Sequence, residues 1–387
     1  MLYNEFDKLL YKKSKRSFIQ QNFTEDTMSI ESDLRKDGIR VVDILDTMSV
    51  NRIAHNIAAK LCDTFPELCF NETDLFTKLS RLNMYRATMP EGMAEANYFY
   101  KNTSIYFNEK IAFEDLEEFA IHECIHYIQE IKDKKNNLIR MGLCNFDNLK
   151  IVGMGLNEAA VQYITSKIIG IEKDYVKYFG VSFRTISPSY YPLECNLLEQ
   201  MIYITGDSVL YDSTFTSNDK FKNAFIKLTS EDTYDKIEYC IDQILELEES
   251  IIKLNNKFTS FDEKNKKVDK IVTKTEDCKL KIAEYYEKAQ NLIIKNYFDK
   301  AFKLISNLEE LDNYRRKLEH YGELIGRTDN YTFFDDYYTE KMSALEHKSN
   351  VLENGGIETA LEYKKPNKFV SWIRAIKNLL TGDKIHN

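Results

Sequence analysis

Glycine and proline are scarce in this 387-residue chain, at 13 and 5, and neither occurs between Ser208 and Tyr321. Tight turns draw on both residues, so a collagen-like or loop-rich chain is excluded and a turn-dense all-β fold is disfavoured. The seven Cys, at 62, 69, 124, 144, 195, 240 and 278, form no Cys-x-x-Cys pair and are odd in number. That pattern argues against a disulfide framework, and reduced thiols are expected. No apolar run approaches the ~18 residues of a membrane span. Residues 1–18 lack the continuous apolar stretch of a signal peptide, so a cytoplasmic location is expected. Positive charge is in deficit. With a net charge of −9 and a pI near 5.4, the chain is a poor match for the phosphate backbone of a nucleic acid, and no nucleic-acid partner is expected.

Apolar matter is plentiful: 43% of residues are hydrophobic and 13% aromatic, enough for a sizeable core and too much for a disordered protein. The first eighty residues read as short helices. Ser49 is the expected cap of a helix with Ile53, Ile57, Leu61 and Phe65 on one stripe, and Leu75, Leu79 and Leu82 mark a second. Between Asn83 and Glu109 the period changes to that of strands. Asn83–Met89 reads as one strand, and Asn97–Tyr100 with Ser104–Asn108 as an aromatic-rich hairpin. A helix follows over 113–131, then a small hairpin from 138 to 153 and a helix from Asn157 to Ile169. A further helix is expected from Leu193 to Ile204. Beyond Gly206 long helices are expected, with Ile237, Ile241, Ile244 and Ile251 on one face and Phe298, Leu311 and Leu318 on another. The lysine-rich stretch 261–281 reads as the exposed joint of an antiparallel helix hairpin. The expected fold class is therefore α+β and mostly helical. Its parts are an N-terminal helical segment (1–80), a core (81–206), a helical arm (207–356) and a basic amphipathic tail (357–387).

One constellation carries chemistry. His122-Glu123-Cys124-Ile125-His126 is a His-Glu-x-x-His motif on an expected helix, where residues four apart share a face and both imidazoles can reach one metal ion. Glu123 lies on the flank of that face, placed to take a proton from a metal-activated water. From the composition, chance gives this motif only ~0.01 times in such a chain. A catalytic zinc needs a third protein ligand and one open position. Gln129 and Lys132 stand where the extended three-histidine pattern needs Gly and His, and no His occurs between 126 and 320. A carboxylate must therefore serve. Glu158, in Gly155-Leu-Asn-Glu-Ala-Ala, is the foremost candidate, against the plainer reading of an acid favoured by a helix N-terminus. Glu130 and Asp147 are weaker rivals.

The strand hairpin, this helix and the downstream Asn157-Glu158 helix resemble the gluzincin branch of the zincin metallopeptidases, particularly compact bacterial zincin-like proteins. The resemblance covers roughly residues 80 to 206. It implies a zincin-like sheet, Zn2+ held by His122, His126 and Glu158, and Glu123 as general base and acid. It also implies Ser104–Asn108 as the edge strand on which an extended peptide pairs. Gln162 departs from the pattern, standing where an Asp would orient a ligating His. For the oxyanion, the loop 183–192 offers Arg184, Tyr190 and Tyr191. The function expected is zinc-dependent peptide hydrolysis. The alternatives are a helical interaction or scaffold protein with a structural or inactive zinc core, and a metallo-hydrolase acting on something other than peptide. Partners expected are a peptide or protein substrate and a protein partner on the helical arm, with no transmembrane span. The tail, apolar on one stripe and basic around it, is expected to dock on the chain's own acidic helices; the rival is weak membrane-surface contact by 366–380.

Overall fold

The structure, a computed structural model, describes residue 34 and residues 38–90, 95–147, 150–258, 266–325 and 333–354. The expected basic tail lies outside the described residues. The protein is α+β and mostly helical: among the described residues, eleven α-helices accompany three small sheets. None of these helices is long and apolar enough to cross a membrane.

Helix α1 (Thr47–Thr64) buries Ile53, Ile57 and Leu61, the stripe that the spacing predicts. Its cap differs from expectation. Asp46 is the N-cap and accepts the backbone N–H of Ser49 at 2.8 Å. Only an extended residue ahead of the first turn can aim its side-chain oxygen at the free N–H groups, and Ser49 is already inside that turn. Helix α2 (Glu72–Leu79) buries Leu75 and Leu79 as expected. The N-terminal segment is not wholly helical, however, because Arg40–Ile44 forms strand β1. All five of its residues are exposed, so the apolar alternation that marks a strand is absent from it.

The first sheet runs β1-β2-β4-β3, with β2 at Asn83–Thr88, β3 at Ala96–Phe99 and β4 at Ser104–Asn108. Strands β3 and β4 form the expected aromatic hairpin, but β2 pairs with β4 in parallel. Ser104–Asn108 is thus an interior strand, and the edge beside the His-Glu-x-x-His helix is β3. Burial does not distinguish the two strands, since Ala96–Phe99 and Ser104–Phe107 are buried alike; β4 is interior because it pairs with β2 on one side and β3 on the other.

Helix α3 (Leu116–Gln129) runs straight into a four-stranded antiparallel meander of β5 (Glu130–Lys132), β6 (Leu138–Met141), β7 (Cys144–Asp147) and β8 (Lys150–Val152), larger than the expected hairpin. Helix α4 spans Met154–Ile169. A hairpin of β9 (Asp174–Tyr178) and β10 (Val181–Thr185) is an addition to the expected elements. It turns on Phe179 and Gly180, both at positive φ, as two-residue hairpin turns require. With Phe at the first turn position, the usual Asn-Gly or Asp-Gly signal is missing.

The remaining helices are α5 (Pro192–Thr205), α6 (Asp207–Thr216), α7 (Lys220–Leu228), α8 (Glu231–Phe258), α9 (Lys266–Leu304), α10 (Leu308–Leu324) and α11 (Phe333–Glu353). The stretch expected as a joint is already helix from Lys266 onward. Lysine is a good helix former, and Ile271, Thr275 and Ile282 supply a narrow buried stripe. The rings of Tyr239 on α8 and Tyr285 on α9 meet at 6.1 Å, at matching distances from the connection, as in an antiparallel hairpin.

The chain divides into two units, Met1–Gln290 and Asn291–Asn387. In the second, Phe298 packs edge-on against Tyr314 and Tyr321 at 5.8 and 5.2 Å, over buried Leu311 and Leu318. In the first, α8 belongs with the core around α4. Gly155 has no room for a Cβ, which would sit 2.9 Å from Ile241 of α8. Asp242 of α8 accepts the backbone N–H groups of Gly153 and Gly155 at 3.0 and 2.8 Å.

Glu238, one turn before Asp242, is buried, and that burial with the Asp242 charge pushes its pKa up to about 7. The folded protein therefore holds this proton more tightly than the unfolded chain does. The stabilising contribution is present below about 4.5 and lost as the pH rises through about 7. Glu238→Gln is expected to flatten the fall in stability across that window, as measured by urea unfolding on either side of it.

Candidate metal centre

Helix α3 is buried from Ala120 to His126, so His122, Glu123 and His126 face the interior rather than solvent. Their four-residue spacing stacks the two imidazoles, with ring centroids 4.8 Å apart. The third member comes from α4. Gly153, at φ +79, lets the chain turn sharply out of β8, and the helix begins at Met154, earlier than the expected Asn157. Glu158 therefore stands in the second turn and is fully buried. The reading of Glu158 as an acid held by the helix N-terminus loses its basis. Ala159 and Ala160 let neighbouring helices approach closely, and Cys195 of α5 reaches the carbonyl of Ala159 at 3.7 Å.

The donor atoms converge. Nε2 of His122 and of His126 lie 3.3 and 3.6 Å from Oε2 of Glu158, and the potential ligand atoms all fall within 4.8 Å of one another. A tetrahedral zinc with bonds of ~2.0–2.1 Å separates its ligand atoms by roughly 3.3 Å, so the set needs little movement to close on such an ion. Hydrogen bonding points the same way. Gln162 donates from Nε2 to Ser166 Oγ at 3.3 Å, leaving its Oε1 to accept Nδ1–H of His122 at 3.1 Å. In neutral His122 the Nε2 then carries a lone pair turned toward a carboxylate oxygen. A cation between the two relieves that repulsion. Burial holds both imidazoles neutral, lowering His122 and taking His126 down to about 3, and the neutral form is the one that ligates.

Glu123 is tied to the edge strand, its Oε2 accepting the backbone N–H of Tyr98 at 2.7 Å. Burial, reinforced by the charge of Glu158, pushes it up to about 8, a shift that a divalent cation in the cluster opposes. A cavity reaches His122 and Glu123 and is lined also by Gln162 and Tyr190. Tyr190 donates its hydroxyl to Glu95 at 3.0 Å. Tyr191 is buried with its ring stacked on His122 at 6.2 Å, and burial with the charges of Glu158 and Glu123 keeps its hydroxyl protonated. Arg184 stands apart: its guanidinium lies over the exposed ring of Tyr175, away from the cavity lining. Glu130 is engaged elsewhere, with Lys132 at 2.7 Å and the Tyr98 hydroxyl at 2.8 Å. The Asp147 side chain lies outside the described residues.

Two supports had no legible sequence signal. The N–H of Tyr98 is a backbone group. Asp242 caps the Glu158 helix from 87 residues further along, beyond the reach of any local capping pattern. Behind the cluster, Gln129 and Asn157 exchange amide contacts at 3.3 and 3.4 Å, and Asn157 Oδ1 also accepts the N–H of Leu143.

Purified protein is expected to carry about one zinc per chain, and Glu158→Ala to lose it or bind it far more weakly, because a three-ligand site has no spare donor. Metal analysis after dialysis checks this. Gln162→Ala is expected to weaken metal binding by roughly 10–100-fold while leaving the three donors in place. Asp242→Ala removes two bonds to the start of α4 and is expected to cost about 2 kcal/mol, read from denaturant midpoints.

No protein-family model, curated protein or solved structure matches this chain, so the arrangement of His122, His126 and Glu158 stands on its own geometry.

Proposed function

We propose that the protein is a zinc-dependent metallopeptidase. The observation that carries the reading is the buried Glu123 carboxylate, which borders the same cavity as His122 beside the two-histidine, one-glutamate cluster. Structural zinc sites are closed, whereas a catalytic one keeps a position open to solvent and substrate, and the cavity provides such an approach. This favours catalysis over a structural or inactive zinc core.

Zinc bound by His122, His126 and Glu158 supplies an activated water and an electrophile for a carbonyl. The protein does the rest. The Tyr98 N–H fixes one oxygen of Glu123, orienting the carboxylate so that its other oxygen can take a proton from water and return it to the leaving amine. A group pushed upward by its own surroundings and downward by a cation is suited to both transfers near neutral pH. Gln162 holds the His122 ring in the tautomer that turns Nε2 to the ligand position. Strand β3, at the sheet edge and bonded to Glu123, takes over the peptide-pairing role expected of Ser104–Asn108. For the oxyanion, Tyr191, protonated beside His122, is the nearer hydroxyl donor, whereas Tyr190, in the cavity wall, would first have to give up its bond to Glu95.

Glu123→Gln is expected to retain zinc and lose at least ~100-fold in peptide hydrolysis, the usual scale for removing a general base. The test is a side-by-side digest of a mixed peptide pool by wild type and mutant, with zinc measured in both. Equal turnover would sink the mechanism.

A further inference from the structure

The cavity beside the cluster has a chemical character of its own, carried by residues outside the metal site. On α3 its lining includes Glu118 and Phe119, one turn ahead of His122 and Glu123. Ile169, Ile171 and Pro188 line it as well. Thr165, Ser187 and Ser189 add hydroxyls, but most of the lining surface is apolar, and among the described residues neither lysine nor arginine lines it. Glu118 is exposed, and among the described residues it makes no hydrogen bond or ion pair. A second carboxylate, Glu95, stands behind Tyr190 and is held by its hydroxyl.

We propose that this cavity is a substrate side-chain subsite that selects a basic residue, lysine or arginine, next to the cleaved bond. The inference rests on the metallopeptidase reading for what lies at its inner end. Its outer end stands on geometry. Four helical residues rise about 6 Å, the distance along α3 from His122 out to Glu118. A lysine side chain starting beside His122 and Glu123 spans that turn with its four-carbon stem and brings its ammonium to Glu118. The stem lies against Phe119, Ile169 and Pro188, the division of labour by which long cationic side chains cover apolar surface and keep the charge at a wet rim. An acidic side chain would instead meet Glu118 with no cation to answer it. A neutral aliphatic side chain would fill the walls and leave Glu118 unused.

The test uses zinc-loaded full-length protein and a synthetic peptide library, with cut sites read by mass spectrometry. Wild type is expected to cut next to lysine or arginine about tenfold faster than next to norleucine, and to disfavour glutamate further. In Glu118→Gln the lysine-over-norleucine ratio of kcat/KM should fall toward one, and in Glu118→Lys glutamate should overtake lysine. Cleavage without that preference, or a ratio untouched by both substitutions, overturns the subsite and leaves the peptidase reading standing. If no peptide is cut, it is the peptidase reading that fails. The subsite is then decided by binding of matched lysine and norleucine peptides to zinc-loaded Glu123→Gln protein, with and without Glu118→Gln. Tighter binding of the lysine peptide that disappears with Glu118→Gln sustains it, and equal or absent binding overturns it.

Discussion

Three ionisable side chains, His122, His126 and Glu158, bring their donor atoms within 4.8 Å of one another inside the protein, and their burial is the constraint that organises the rest. Removing such groups from water is costly unless each finds a partner. The imidazoles respond by staying neutral, and Gln162 holds one of them in a single tautomer. That leaves a negative oxygen facing a lone pair, an arrangement that calls for a cation. The cost of burial and the affinity for metal are two aspects of one electrostatic arrangement.

Holding that arrangement requires rigid supports from distant parts of the chain. The cap on the Glu158 helix comes from α8, whose backbone approaches closely enough that Gly155 must lack a side chain. The proton-accepting Glu123 is tethered by a strand rather than by a side chain. Ser217, in the turn after α6, donates to the carbonyl of Gln129 at the end of α3 and accepts the N–H of Gly142. Helices beyond 206 therefore do structural work for the site, although they contribute none of its metal donors. The long interval without glycine or proline begins as part of the machinery that positions the ligands.

Much of the site was legible locally. The two histidines and the glutamate between them are set by helical period alone, and the alanines after Glu158 announce close packing. The buried faces of α1, α2 and α8 follow from spacing in the same way, because burial of one stripe is a local demand on sequence. Failures came where the signal was not local. Strand β1 is exposed on every residue, and the β9–β10 turn is built on Phe179. The pairing of β2 with β4, which moves the edge to β3, depends on which strands meet rather than on what each contains.

By itself the sequence determined the fold class, the helical face carrying both imidazoles, and the candidacy of Glu158 as their partner. All three follow from short-range periodicity and from the chemistry of residue types. The tertiary structure decided that Glu158 is buried against the histidines, that Tyr98 and Asp242 anchor the site, and that Glu118 lines the same cavity as His122 and Glu123. Those facts depend on contacts between segments far apart in the chain, and no local pattern of side chains records the distance between two helices.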